Sequence, residues 1–103
     1  MTDKYILVGN NEVEQCDDLQ KWGACFESAN RIVAKTNMPY FDCNISTVFL
    51  GIDHSYGEGP PILFETMIFG GVHDDFQIRC STWNQAVEQH LDACLIAAEL
   101  KQP

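Results

Sequence analysis

Basic residues are scarce in this chain: 6 Lys and Arg stand against 15 Asp and Glu, which leaves a formal charge of −9 with His neutral. Binding to nucleic acid depends on cations that neutralise phosphates, so this balance argues against DNA or RNA as a direct ligand. Paired cysteine motifs are missing too. Cys16, Cys25, Cys43, Cys80 and Cys94 are odd in number and widely spread, with no C-x-x-C pair and no zinc-finger spacing, which favours free thiols in a reducing cytoplasm. No H-x-x-x-H or H-E-x-x-H pair occurs, so a metal site would have to be assembled by the fold; none is expected, and no cofactor either. No apolar run approaches the thickness of a bilayer, and the opening MTDKYILVGNNEVEQ has one lysine, a short apolar run and then acid, unlike a secretory leader. The expectation is a cytoplasmic protein with no membrane contact.

What is present suits a globular chain: 46% hydrophobic and 11% aromatic residues, well away from the composition of a disordered segment. A length of 103 residues supports one modest core, hence one α+β domain over 1–103. Its centre is the stretch 46–71, STVFLGIDHSYGEGPPILFETMIFGG, where two apolar runs rich in β-branched and aromatic residues are joined through glycines and prolines. This predicts a β-hairpin with strands at 45–52 and 62–69 and a connection at 54–61 that breaks pairing.

On either side the pattern alternates between strand and helix. Tyr5, Ile6, Leu7 and Val8, closed by Gly9, Asn10 and Asn11, read as a first strand and turn. Residues 12–18 hold four acids, and Asp17, followed three positions later by Gln20, is placed as a helix N-cap. Leu19, Trp22, Phe26, Ala29 and Val33 then fall at the spacing of an amphipathic helix of about four turns. A short strand from about Ile32 and a turn around Pro39 lead into the hairpin. After it, Phe76, Ile78 and Cys80 alternate as a half-buried strand. Thr82 and Gln85 make a capping box, and Trp83, Ala86, Val87, Leu91, Cys94, Leu95 and Ala98 form the apolar stripe of a second helix, with 101–103 fraying. The order is β-α-(β)-β-β-β-α, an antiparallel sheet of about four strands on two helices. If the sheet's second face is also apolar, it needs a partner.

The block 46–71, followed by Ser81, Thr82, Trp83 and His90, resembles a family of small phage and prophage proteins. These carry a segment like STVFLGLDH, a Gly-rich loop, GPPLLFETM and FGG, then STW opening a final helix. The likeness covers roughly Ser46 to His90, under half of the chain. It implies a phage-encoded accessory protein and transfers no reaction, cofactor or catalytic residue.

Asp53, His54 and Glu65, with His73 and His90, are the residues that carboxylate and imidazole chemistry would use, for a metal ion or for acid–base work. In a simple register with Asp53 facing Ile62, Glu65 lies opposite Leu50 and points to the other side of the sheet from Asp53, which separates them. The ordinary reading is that Asp53 and His54 bond loop amides, that Glu65 sits on a solvated face or pairs with Arg79, and that His90 is a core-edge histidine. Tyr56 and Glu58 on the Gly/Pro connection suit a recognition finger. The acids Glu12, Glu14, Asp17 and Asp18 suit contact with a basic surface on a protein, or simply the positive end of a helix. The first expectation is therefore an accessory protein that binds and inhibits a host or defence-system protein, of which an anti-CRISPR is one form. The alternatives are a small metal-dependent hydrolase using Asp53, His54 and Glu65, and a homodimeric assembly module.

Overall fold

In the computed structural model, which describes residues 3–27 and 31–103, the elements run β1 (Tyr5–Val8), β2 (Glu12–Gln15), α1 (Leu19–Glu27), β3 (Ile32–Met38), β4 (Cys43–Phe49), β5 (Phe64–Gly70), β6 (Gln77–Cys80) and α2 (Trp83–Ala97). The fold is α+β, with an antiparallel β1-β2 pair and a four-stranded antiparallel sheet in the order β3-β4-β5-β6.

The N-terminal third departs most from expectation. The acidic run is not simply a helix approach: Glu12–Gln15 is a strand, paired with β1 from Tyr5↔Gln15 to Val8↔Glu12. The turn between them puts Asn10 and Asn11 at φ of 62° and 61°, a left-handed backbone that Asn tolerates. Half-buried Val13 alternates with exposed Glu12 and Glu14 and packs beside Leu7 in the core. The helix cap is Asp18, not Asp17: its Oδ1 accepts from the amides of Gln20 and Lys21 at 3.0 and 3.2 Å, which fixes the start of α1 at Leu19. Among the described residues that helix spans nine, Leu19–Glu27, and Leu19 is exposed. Val33 belongs to β3, at a register irregularity between Ile32 and Ala34; Ala29 lies outside the described residues.

The central hairpin forms two residues out of the expected register. Phe49 pairs with Phe64 and Val48, not Leu50, faces Glu65. A shift of two preserves the faces, because side chains alternate with period two. One face of the sheet is buried: Ile45, Thr47 and Phe49 from β4 and Phe64, Thr66 and Ile68 from β5 are each 0–1% exposed. The other face shows three cross-strand rows: Ile32, Val48, Glu65, Arg79; then Lys35, Ser46, Met67, Gln77; then Asn37, Asn44, Phe69.

Helix α2 starts with the expected capping box, Thr82 Oγ1 accepting from the Gln85 amide and Gln85 Oε1 from the Thr82 amide, both at 3.2 Å. Its buried stripe is Ala86, His90, Ala93, Ile96 and Ala97. Val87, Leu91 and Leu95, expected in the core, are 40%, 61% and 42% exposed. The alanines explain the choice: small side chains let the helix axis lie close over the sheet, where Ile45, Ile68 and Cys43 fill the space. Helix α1 works elsewhere. Trp22 and Phe26 stack with centroids 5.0 Å apart, and Trp22 Nε1 donates to the Gly51 carbonyl at 2.9 Å.

Two backbone crossings need glycine. A Cβ on Gly70, at φ +88°, would meet the Asp42 carbonyl oxygen at 2.5 Å, and one on Gly71 would meet that of Phe41 at 2.8 Å. The FGG run thus lets the β5–β6 connection pass against the single-turn helix Pro39–Phe41. At the chain's end Lys101 Nζ bonds Asp92 at 2.8 Å, while Gln102 and Pro103 are exposed and outside any helix or strand. All five cysteines are free. Burial pushes the Cys43 and Cys80 thiols up, with Cys94 and Asp42 adding to the effect on Cys43.

Candidate functional site

The loop joining β4 to β5 is held at its base by side-chain and backbone bonds. Asp53 Oδ1 accepts from the amides of Ser55 at 2.8 Å and Ile62 at 2.9 Å, so one carboxylate ties together both ends of the loop. Those amides, Ser55 first and Ile62 next, hold its carboxyl below the usual carboxylate range. The Leu50 and His54 amides donate to the Leu63 and Ile62 carbonyls at 2.7 and 3.0 Å. Beyond this clamp Gly57 and Gly59 turn the chain at φ of 90° and 128°, and Tyr56 stands 99% exposed. Pro60 and Pro61 then fix the return into β5. The loop therefore presents an aromatic ring on a closed base, with Glu58 and His54 also exposed beside it.

The same base borders the N-terminal hairpin. Lys4 bridges Ile52, the Tyr5 amide donates to the Gly51 carbonyl and the Asp53 amide to that of Asp3. On the other side of β1, the Cys16 amide donates to the Lys4 carbonyl at 2.9 Å. The end of β2 and the base of the loop thus flank the start of β1, which places exposed Asp17 one strand away from the clamp. Glu12 and Glu14 are exposed on β2 nearer its turn. Asp18, the fourth acid, is occupied in capping α1.

The suspected Asp53, His54 and Glu65 group is divided among different partners. Glu65 lies on the outer sheet face, where its Oε2 accepts from Arg79 Nε and Gln77 Nε2, each at 2.8 Å. The pairing with Arg79 follows directly from cross-strand register. His73 faces Glu99 at 3.7 Å, beyond the β5–β6 turn. Among the described residues no group of three His, Cys, Asp or Glu side chains is arranged to hold a metal ion.

His90 is more than a core-edge histidine. It is 5% exposed beneath α2, with Nε2 at 2.8 Å from Thr36 Oγ1 and Nδ1 at 2.8 Å from Thr47 Oγ1, and Thr47 continues to Thr66 Oγ1 at 2.7 Å. Each ring nitrogen has a hydroxyl partner, so either neutral tautomer completes the chain of bonds. Burial holds the imidazole below its ordinary value. The signal was in the sequence: Thr47 and Thr66 interrupt the inward apolar positions of both central strands at facing points.

Against known proteins, the chain matches no family model, no curated protein and no solved structure.

Proposed function

We propose that this is a phage-encoded accessory protein that binds and inhibits a host or defence-system protein, an anti-CRISPR or similar inhibitor being its concrete form. One observation carries the reading: Tyr56 stands 99% exposed on a loop whose base is closed by Asp53. An exposed aromatic buries much area on contact and has few rotamers to lose, which is how interface anchors work. The likeness of residues 46–90 to small phage proteins supplies the biological setting. Exposed Glu12, Glu14 and Asp17 support a basic surface on the partner, and their charge would speed encounter. The hydrolase alternative gains no support from the geometry, since Asp53 and Glu65 are engaged in separate structural bonds.

Parallel affinity captures from host lysate, with wild type and Tyr56→Ala as baits, test the reading. A stoichiometric partner recovered by the wild type and lost with Tyr56→Ala, at equal thermal stability, is the expected result, followed by inhibition of that partner's activity in vitro. A partner retained equally by both baits removes the loop from the interface. Charge reversal at Glu12, Glu14 and Asp17 should slow association and weaken its salt dependence; Asp18 is left intact because it caps α1.

A further inference from the structure

The outer face of the four-stranded sheet is a broad surface on which this acidic chain is not acidic. Its strands hold one carboxylate, Glu65, and two cations, Lys35 and Arg79, whereas the other 14 carboxylates lie outside them with 4 cations. Scarcity of carboxylates beside Phe, Met and Arg suits an interface, and here Phe69 is 47% exposed and Met67 half-buried. Two charges on the face remain incompletely matched. Lys35 makes no ion pair or side-chain hydrogen bond among the described residues. Glu65 takes both its bonds on Oε2, leaving Oε1 without a partner among the described residues.

We propose that this face binds a second copy of the chain, sheet against sheet about a two-fold axis running along the strands. Self-association of a chain at −9 is opposed wherever carboxylates meet, and this face brings together almost none. A two-fold contact must also be self-complementary. Rotation about an axis between β4 and β5 carries β3 of one copy over β6 of the other. Lys35 then lies over Gln77 on β6, one row from Arg79 and one row and one strand from Glu65. The Glu65 carboxylate already bonds the Gln77 and Arg79 side chains through Oε2 and offers Oε1 to an extended lysine, and the contact occurs twice. Face packing is favoured over edge pairing, because Lys35 and the register irregularity at Ile32 and Ala34 both lie on the edge strand β3. Four short strands bury less than the roughly 800 Å² per partner of a tight complex, so association in the micromolar range is expected.

Sedimentation equilibrium over a roughly hundredfold concentration range tests this directly. Wild type should show a monomer–dimer equilibrium. Lys35→Glu and Glu65→Lys should each weaken it by about tenfold or more, and an equimolar mixture of the two variants should recover a dimer, because opposite charges then meet at both contacts. That recovery cannot come from misfolded variants, and circular dichroism checks each one separately. A wild type that stays monomeric throughout overturns the proposal. So does a dimer that tolerates both charge changes and Phe69→Ser, or one that is lost only in Leu91→Lys, which would move the contact to the exposed Val87, Leu91 and Leu95 stripe of α2.

Discussion

The two faces of the β3-β4-β5-β6 sheet are made from alternate residues of the same strands, yet they are held in different ways. The covered face is dry and closely packed, with Phe49, Phe64, Ile45 and Ile68 around a line of hydroxyls that runs through His90. The open face is a lattice of half-exposed side chains whose best-defined contact is Glu65 with Arg79 and Gln77. Polar groups are present on both faces. In the dry face each must be bonded because water cannot replace a lost partner, whereas on the open face water can. The same substitution should therefore be severe on one side and mild on the other.

The largest contrast is expected within β5. Phe64→Ala, at a position with no exposure, should cost about 3–5 kcal/mol in urea unfolding, whereas Phe69→Ala, nearly half exposed, should cost less than about 1 kcal/mol. Equal costs would mean that the outer face is covered in solution, which is what a second copy would do. Neighbours on β4 give the next contrast. Thr47→Val leaves both His90 Nδ1 and the Thr66 hydroxyl short of a partner and should cost about 1–3 kcal/mol; Ser46→Val, facing outward, should stay within about 0.5 kcal/mol.

Acidity should weaken the covered face first. Burial disfavours the His90 imidazolium, so the folded protein binds that proton less readily than the unfolded chain, whose His titrates near 6.5. Above that pH both states are neutral and the contribution is complete. As pH falls below it the unfolded chain takes up the proton first, and stability declines until the folded group titrates as well. Asp53 acts lower: its carboxyl is held beneath 3.8, so its contribution is complete above that value and is lost as pH falls through the folded one. Denaturant midpoints for His90→Gln should lose the first decline and keep the second, and an unchanged first decline would remove His90 as its source. The smallest effect belongs to Tyr56→Ala, which should shift stability by less than about 0.5 kcal/mol while removing partner capture.

Much of the architecture was legible from spacing alone. The Ser46–Gly71 hairpin and the Thr82 capping box express local rules and both are present, the hairpin with a changed register. A strand also forms at Gln77–Cys80, but of the expected inward set Phe76, Ile78 and Cys80 only Cys80 is buried, because β6 is an edge strand and Ile78 stays 39% exposed. What failed required knowing a neighbour. Glu12–Gln15 reads as acidic coil until β1 is available to pair with it. Leu91 and Leu95 outrank Ala93 and Ala97 in hydrophobicity, but the sheet surface beneath α2 is already filled by large side chains, and alanines at those two positions let the helix approach it. The loop clamp was half visible, since Asp53 was read as bonding loop amides; that one of them is Ile62, nine residues on, is fixed by the ladder rather than by local sequence. His90 was misjudged because its two partners, Thr36 and Thr47, come from different strands.

The free cysteines carry a further consequence. Alkylating reagents react with thiolate, and a buried thiol whose ionisation is disfavoured reacts only when the surrounding structure opens. Cys43 lies beneath the C-terminal half of α2, Cys80 is at the end of β6, Cys16 is at the close of the N-terminal hairpin, and Cys25 and Cys94 are only half covered. The native chain thus holds a graded set of timers distributed over its parts. The order in which the five are labelled, read by mass spectrometry, would record the sequence in which the molecule comes apart, without a single engineered probe.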